Sequence, residues 1–379
     1  MEYSLPYIAI ITLFGLCAFF YECTSNEERK QQLTMVAVVS FYLFFAFRGY
    51  VYSDWTSYSY LLNEIEWKDI WGLKNFIEPG FMLLCCLCAS ITREYAFLVF
   101  VITTIDVFLI LRFLKHAEIK NVALVFMLII VFDGIEIMFN LLRNQIAIFI
   151  FLNALEYIEK RKPLPYFLIC ALSACFHVSA VTYIPMYFLL NIRINKWVFT
   201  MVFLFFFVFF LSKISIIASV VKVINLDGAL ADKVIYYTEQ LTSRREIGII
   251  PTLFQFFMIG LINIYYDRIT LEFKHGVHVV NALLAYFLFF FVFAEVKTFS
   301  IRMSMLFVFS IWIAWVYLFK AMSIEGNKIL MGIFLFSFCM YYAFYTFTQP
   351  IQEYDNLLFG SKSQVERLKI FNKYFEPDD

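Results

Sequence analysis

Arg143 and His177 are the two residues whose types and positions in this sequence most suggest chemistry. Arg143 opens an Arg-Asn-Gln triplet at the start of an apolar segment, and His177 lies in the next one, within Cys-Phe-His-Val-Ser. An arginine at the centre of a membrane helix costs roughly 2.5–3.5 kcal/mol, so Arg143 requires a membrane edge, a water-filled cavity or an anionic partner. A histidine can remove a proton from a hydroxyl at neutral pH. The pair predicts a base beside an anion-binding group; the alternatives are a snorkelling arginine and a hydrogen-bonded core histidine.

A second group of chemically capable residues, Arg48, Asp54 and Tyr58, directly follows an apolar segment, with two more tyrosines and a tryptophan among them. Aromatic rings can stack on the C–H faces of sugars, while carboxylate and guanidinium groups bond hydroxyls or phosphates. The group therefore suits recognition of a polyol. The alternative is an aromatic belt with an arginine at the membrane boundary, which explains the tyrosines better than it explains Asp54.

Acidic residues at the ends of apolar segments, or inside them, form a third set. Glu78 begins Glu-Pro-Gly-Phe after two tryptophans, a pattern typical of helices that lie along the membrane interface. Asp106 lies inside an apolar segment, where an acid indicates either a functional site or a hydrogen bond between helices. Asp133 and Glu136 precede Arg143 and could hold the arginine or act as acids.

Further arginines could bind an anion. Arg244 and Arg245 stand side by side before an apolar segment, and Arg302 is expected to open another segment as Arg143 does. Paired arginines can clamp a pyrophosphate without a metal, and Arg143 with Arg302 would form a divided anion site. Solvated surface charge is the alternative for the Arg244–Arg245 pair. No nucleotide-binding loop, dinucleotide fingerprint or zinc-site spacing occurs, so the sequence predicts no metal and no cofactor and argues against an ATP-driven pump.

The composition indicates which elements must position these residues. Hydrophobic residues make up 62% of the 379, charged residues only 16%, and phenylalanine occurs 49 times; the mean hydropathy is +0.77. Apolar runs of about 20 residues without two-residue alternation predict an all-α polytopic membrane protein of about 11–12 transmembrane helices, one membrane domain over 1–379. The zero net charge gives no sign of nucleic-acid binding. The expected spans are 3–21, 33–47, 95–112, 121–139, 143–158, 164–190, 198–217, 249–266, 276–294, 302–320 and 328–347.

The distribution of Lys and Arg over the short loops predicts the orientation. All the basic turns can face the cytoplasm if 78–92 stays at the outer interface and 164–190 breaks into two pieces near His177. The loops 48–94 and 218–247, with interfacial helices, then lie outside the membrane together with the tail after 348. The alternative makes both segments ordinary spans and leaves several basic turns outside.

The motifs taken together resemble the EpsG-like branch of the Wzy-type polysaccharide repeat-unit polymerases. The resemblance covers roughly residues 40–310. The region 48–94 is also similar to the first outer loop of the wider GT-C class of membrane glycosyltransferases, which implies a GT-C-like fold. The resemblance to the EpsG-like branch rests on four motifs: Arg48…Asp54…Tyr58, Glu78-Pro-Gly-Phe, Arg143-Asn-Gln-Ile-Ala and Phe176-His177-x-Ser.

This resemblance implies a reaction at the outer face of a bacterial plasma membrane. A growing glycan would pass from undecaprenyl pyrophosphate to the non-reducing-end hydroxyl of a new lipid-linked repeat unit, without ATP or a nucleotide sugar. The partners implied are the lipid-linked donor and acceptor, membrane lipid, a chain-length regulator and a flippase.

The roles expected for single residues follow from the same resemblance. Arg143 and Arg302 would bind the pyrophosphate, with Arg244 and Arg245 as secondary candidates. His177 or Asp54 would be the base. Substrate binding is expected at the remaining motif residues, Arg48, Tyr58 and Glu78.

Two other kinds of function fit parts of the sequence. An O-antigen ligase or a GT-C glycosyltransferase with a monophosphate sugar donor would use closely similar chemistry on another acceptor or donor. A transporter or flippase of the lipid-linked unit would favour charges along a central path and inverted repeats, neither of which is visible here.

Overall fold

The computed structural model describes residues 2–71, 77–214 and 244–375. These residues form helices joined by short connections and contain no β-strand, so the predicted all-α class is confirmed. Most of the predicted loop 218–247 lies outside the described residues. The α-helices are α1 Leu5–Cys23, α2 Glu27–Ala46, α3 Trp55–Glu64, α4 Pro79–Ala89, α5 Tyr95–His116, α6 Val122–Ile129, α7 Ile135–Asn140, α8 Leu142–Leu152, α9 Leu155–Glu159, α10 Pro163–Phe176, α11 Met186–Leu189, α12 Lys196–Ser212, α13 Ile249–Glu272, α14 Gly276–Phe287, α15 Lys297–Met305, α16 Phe309–Ala321, α17 Glu325–Thr346 and α18 Gln364–Phe375.

Several of these helices are long and apolar enough to cross a membrane. Five described segments meet this test, and a sixth does if the pair α15 and α16, bent by 50°, counts as one span. A helix satisfies its own backbone hydrogen bonds, which is why such apolar runs fold this way in lipid. The chain is therefore a polytopic membrane protein. The five are α1, α5, the segment Val122–Asn140 that includes α6 and α7, α13 and α17.

Contacts divide the chain into two compact units. Unit 1 consists of Met1–Ile184 and Ser323–Asp379, and unit 2 of Pro185–Met322. The expectation of one membrane domain stays a prediction.

Helix α8 lies at the centre of unit 1, between α5 and α10. Every residue of α8 is buried except Arg143. Helices α1, α2 and α6 pack on one another through phenylalanines; the rings of Phe41 and Phe126, for example, stack with 4.1 Å between their centroids. A central helix with one open position holds that side chain firmly, because ten of its eleven residues are fixed by their neighbours.

Two irregular points in unit 1 set the direction of chain segments near Arg143. A five-residue π-helix, Ile130–Gly134, interrupts the span before α7, with Asp133 at φ 59°. Leu141 then leaves helical geometry, at φ −107° and ψ 51°, immediately before α8. Irregular backbone inside a span occurs where it is buried in protein or lines a cavity, often at functional sites.

The segment 164–190 breaks at His177, as predicted. Helix α10 ends there because His177 is extended, with φ −154° and ψ 124°, and a 3₁₀-helix follows over Val178–Tyr183. Helix α4 has 11 residues. At 1.5 Å per residue such a helix is about half of the roughly 30 Å hydrocarbon core, so a placement at the interface fits its length. Its side of the membrane stays a prediction.

The C-terminal segment packs on the end of α2. The N–H groups of Gly49 and Leu357 donate to the carbonyls of Asp355 and Phe47, at 2.9 and 2.8 Å. The guanidinium of Arg367, 3% exposed, contacts the Asp355 carboxylate at 3.3 Å. The tail after 348 and the residues around 48 therefore share one end of unit 1, as the predicted topology requires.

Unit 2 contains helices α11 to α16. Its core is again aromatic: the ring of Phe203 packs edge-on against Phe287 at 4.8 Å, and Trp315 lies 5.0 Å from Phe254. Asn281 on α14 donates to the backbone carbonyls of Leu190 and Ile192, which fixes the connection between α11 and α12.

Candidate active site

Arg143 and His177 are joined through one carboxylate, that of Glu78. The Arg143 Nη1 atom donates to Glu78 Oε2 at 2.6 Å, and His177 Nδ1 lies 2.9 Å from Glu78 Oε1. The Val178 N–H donates to the same Oε1 at 2.8 Å. The Glu78 side chain is 10% exposed, against 26% for Arg143 and 14% for His177. The three form a partly buried cluster in which the arginine keeps an open edge.

Local sequence explains why Glu78 points this way. It precedes α4, whose first residue, Pro79, has no N–H to be capped, and its side chain makes no cap bond to its own helix. The chain's turn at His177 brings the Val178 N–H toward α4. The carboxylate therefore bonds two other elements, α8 and the end of α10, rather than its own.

Gly80 allows α4 to approach α10 this closely. A Cβ atom at this position would lie 2.7 Å from the Cys175 carbonyl oxygen, closer than real Cβ contacts. The glycine therefore brings the start of α4, with Glu78 on it, against the end of α10, with His177 on it.

We expect Gly80→Ala to destabilise the protein by about 1–3 kcal/mol, because the backbones of α4 and α10 must separate to admit the methyl group. Thermal unfolding of the purified protein in detergent measures this. Gly260→Ala is the matched control, since nothing lies within 4 Å of its added Cβ; it should be neutral or slightly stabilising. Equal melting temperatures for the two variants would contradict the close approach.

The surroundings of Glu78 keep its carboxylate ionised. Burial alone would raise the pKa of Glu78, but the hydrogen bonds from His177 and from the Val178 N–H, with the charge of Arg143, outweigh it. They lower the pKa from 4.5 to about 2. An ionised carboxylate can only accept hydrogen bonds, so His177 Nδ1 carries the shared proton. The Nε2 atom of the neutral ring is then the acceptor left for a substrate proton.

The triplet that begins at Arg143 contacts three different elements. Arg143 bonds Glu78 before α4, and Asn144 Oδ1 accepts from the Ser179 hydroxyl at 3.3 Å, two residues beyond His177. Gln145 donates to the Asp106 carboxylate on α5. Asp106 thus holds α8 against α5, the helix-packing alternative considered for it. Three consecutive polar residues fix the rotation of α8 and hence the direction of Arg143.

Tyr58 adds a hydroxyl to the cluster. It lies within electrostatic range of the Arg143 guanidinium, and its ring packs against Phe81 of α4 with 5.5 Å between centroids. Burial raises the pKa of Tyr58 well above its usual range, so the phenol stays protonated. Tyr58 therefore supports the position of Arg143 from α3.

Asp54 lies beside this group, within electrostatic range of Tyr58. It precedes α3, and its N–H donates to Asn140 Oδ1 at 3.3 Å, as does that of Ser53 at 3.1 Å. Asn140 in turn donates to Glu136 at 2.8 Å. The chain around Asp54 is thus tied to the end of α7, one turn before Arg143.

Arg48 is more deeply placed than the sequence suggested. It is 1% exposed, donates to the Phe45 carbonyl at 3.3 Å and stacks over the Phe139 ring at 4.9 Å. A guanidinium on an aromatic face in the core of unit 1 stabilises the packing of α2 on α7. Its predicted role in substrate binding stays a prediction.

The paired arginines predicted to bind an anion lie in unit 2 and contact that unit. Arg244 Nη2 donates to the Phe210 carbonyl at 2.6 Å. Arg245 Nη1 donates to the hydroxyls of Ser300 and Ser304, at 3.3 and 3.0 Å. The two side chains therefore tie the chain before α13 to its neighbours.

Arg302 does not open its helix. Helix α15 begins at Lys297, and Arg302 is exposed in its last turn, before the bend to α16. The divided anion site of Arg143 and Arg302 stays a prediction, since the two arginines belong to different units. Among the described residues, no three His, Cys, Asp or Glu side chains gather as metal ligands would.

Sequence reasoning identified Arg143, His177, Glu78, Tyr58 and Asp54 but not their grouping. It missed Asn140, and it gave Glu78 no structural role. One signal was available: Glu78 and Arg143 each begin an apolar helix, and His177 ends one, so all three lie at helix ends.

Comparison with known families gives one match. The sequence model of the EpsG family matches residues 31–358, a range that includes every residue of the Glu78 cluster. Searches of curated proteins and of solved structures give no match. The chain therefore belongs to the EpsG family, which supports a polysaccharide polymerase-type function in a membrane.

Proposed function

We propose that this protein polymerises oligosaccharide repeat units carried on undecaprenyl pyrophosphate, at the outer face of a bacterial plasma membrane. The growing glycan passes to the non-reducing-end hydroxyl of a new lipid-linked unit. The main support, beside membership of the family, is the Glu78 carboxylate bonded to both Arg143 and His177. Such a cluster offers a base and a cation side by side.

In the proposed reaction, His177 Nε2 accepts the proton of the acceptor hydroxyl. The hydroxyl oxygen bonds to the anomeric carbon of the growing chain, and the bond from that carbon to the pyrophosphate oxygen breaks with its electron pair. Glu78 stabilises the imidazolium that forms, as a buried carboxylate does for a catalytic histidine. Asp54 is the alternative base.

Arg143 has the role of stabilising the departing pyrophosphate. A guanidinium has five N–H donors, and Glu78 takes one of them through Nη1. The exposed quarter of the side chain leaves donors for phosphate oxygens. Fixed donors act most strongly where charge develops during the reaction, which here is the leaving group.

Glycan profiling of a strain that lacks this protein tests the proposal. We expect the polymer ladder to disappear, to leave single repeat units on the lipid carrier or on their final acceptor, and to return with the wild-type protein. A strain that keeps its polymer ladder but fails to attach it would indicate a ligase. A strain without repeat units outside the membrane would indicate a flippase, and an unchanged ladder would contradict the proposal.

A further inference from the structure

A cleft of about 190 Å³ opens beside the Glu78 cluster, between α3 and the start of α4. Ser57, Tyr60, Leu61 and Glu64 line it from one side. These positions are spaced as i, i+3, i+4 and i+7, so they form one face of α3. The adjacent face carries Tyr58, which lies within electrostatic range of Arg143. One helix thus connects the cleft to the candidate active site.

The other wall of the cleft includes residues on both sides of Glu78 in the sequence. Ile77 precedes Glu78 in the chain, and Met82 lies one turn into α4, with its N–H donating to the Glu78 carbonyl at 3.0 Å. Asp69 completes this side. Two lining residues, Ile77 and Met82, therefore lie close to Glu78 in the chain.

The chemistry of the lining suits a sugar. Tyr60 is 71% exposed, so the face of its ring is open to a ligand. The exposed Glu64 and the half-buried Asp69 offer carboxylate oxygens to sugar hydroxyls, and Leu61, Ile77 and Met82 provide an apolar floor. An engineered cavity of about 150 Å³ holds one benzene ring, so this cleft has room for about one six-membered sugar ring.

The charge of the lining narrows the class of sugar. The described residues that line the cleft include two carboxylates and no basic side chain. Nearby, Lys68 is paired with Glu66, and the Arg93 guanidinium donates to backbone carbonyls at the end of α3. A uronic acid or another anionic sugar would meet like charge there, whereas an amino sugar would be attracted.

We propose that this cleft is a subsite for one neutral or amino sugar of the repeat unit, next to the unit that reacts. This inference rests on the proposed function and names part of its substrate. The ring of Tyr60 stacks on the sugar, Glu64 and Asp69 accept its hydroxyl hydrogens, and their charge excludes anionic sugars from this position.

Saturation-transfer NMR on the full-length protein in nanodiscs tests the subsite. The probes are the methyl glycosides of glucose, glucosamine and glucuronic acid. We expect the first two to bind and the glucuronide to bind at least about tenfold more weakly. Tyr60→Ala should weaken glucoside binding about fivefold, the size expected when one ring contact is lost. Glu64→Gln should narrow the difference between glucoside and glucuronide.

Matched controls exclude general effects on the surface. Tyr374→Ala removes another exposed tyrosine, and Glu28→Gln removes an exposed carboxylate at the start of α2; neither should change binding. Absence of saturation transfer to both the glucoside and the glucosaminide, equal binding of the glucuronide, or a Tyr60→Ala variant that binds as the wild type does would overturn the inference. Sugar binding that persists in a protein without polymerase activity would refute the proposed function and leave the subsite standing.

Discussion

Glu78→Gln is expected to lower the rate of polymerisation by about 100-fold or more. Glu78 positions His177, the proposed base, and a positioned general base contributes about 10²–10⁴-fold to a rate. Glutamine keeps the shape of the side chain but removes its charge. Its amide nitrogen cannot accept a hydrogen bond, so either Arg143 or His177 loses its partner at 2.6 or 2.9 Å. The histidine then loses the group that fixes its tautomer, and the arginine loses its counter-charge.

The rate is measured with purified protein in proteoliposomes and a lipid-linked repeat unit as substrate. Glu66→Gln, which removes an exposed carboxylate, should retain the wild-type rate. Because Glu78→Gln also breaks a partly buried ion pair, its folding is checked by thermal unfolding and by glucoside binding at the cleft. A folded Glu78→Gln protein with the wild-type rate would show that the cluster is not the site.

The lowered pKa of Glu78 predicts how the stability of the protein responds to pH. It is lowered from 4.5 to about 2, so the stability that the ionised carboxylate contributes is complete above pH 4.5. That contribution falls as the pH decreases from about 4.5 toward 2. Thermal unfolding at pH 6 and at pH 3 measures this, and the melting temperature should be lower at pH 3. His177→Ala should lose most of the rate, because the proposed base is removed.

Arg143→Ala is expected to lower kcat by about 10²–10³-fold, with a smaller change in KM, because the charge that Arg143 stabilises develops in the transition state. Arg143→Lys should recover part of this loss, since lysine keeps the charge without the planar fork of donors. Arg29→Ala, a change of an exposed arginine in the first turn of α2, is the control. Polymer of full length made at the wild-type rate by Arg143→Ala would remove the arginine from the mechanism.

The fold class and the positions of single site residues were predictable because both depend on local pattern. Long apolar runs predict membrane helices by length alone, and α8 begins within one residue of the predicted start at 143. The break at His177 was required to keep the basic turns on one side. The π-helix of Ile130–Gly134 was not predicted, although its Asp133-Gly134 pair is a dipeptide typical of turns.

The grouping of the site was not predictable from one sequence because it depends on contacts between distant segments. Glu78 and His177 are 99 residues apart in the chain. Their contact requires the close approach at Gly80 and the extended backbone at His177. The hydropathy pattern of the sequence predicts neither of these two features. Arg48 shows the converse: its place after an apolar segment suggested exposure, but Phe139 and the C-terminal segment cover it.

The docking of the C-terminal segment has a consequence for biogenesis. Unit 1 is assembled from both ends of the chain, because the Ser4 hydroxyl donates to the Phe347 carbonyl and Tyr7 to that of Gln352. Synthesis proceeds from the N-terminus, so the helices that carry Glu78, Arg143 and His177 are made long before their last packing partners. Unit 1, which holds the candidate site, is complete only after the segment that begins at Ser323 has been made. A polypeptide that stops before this segment leaves the insertion machinery with an open helix bundle.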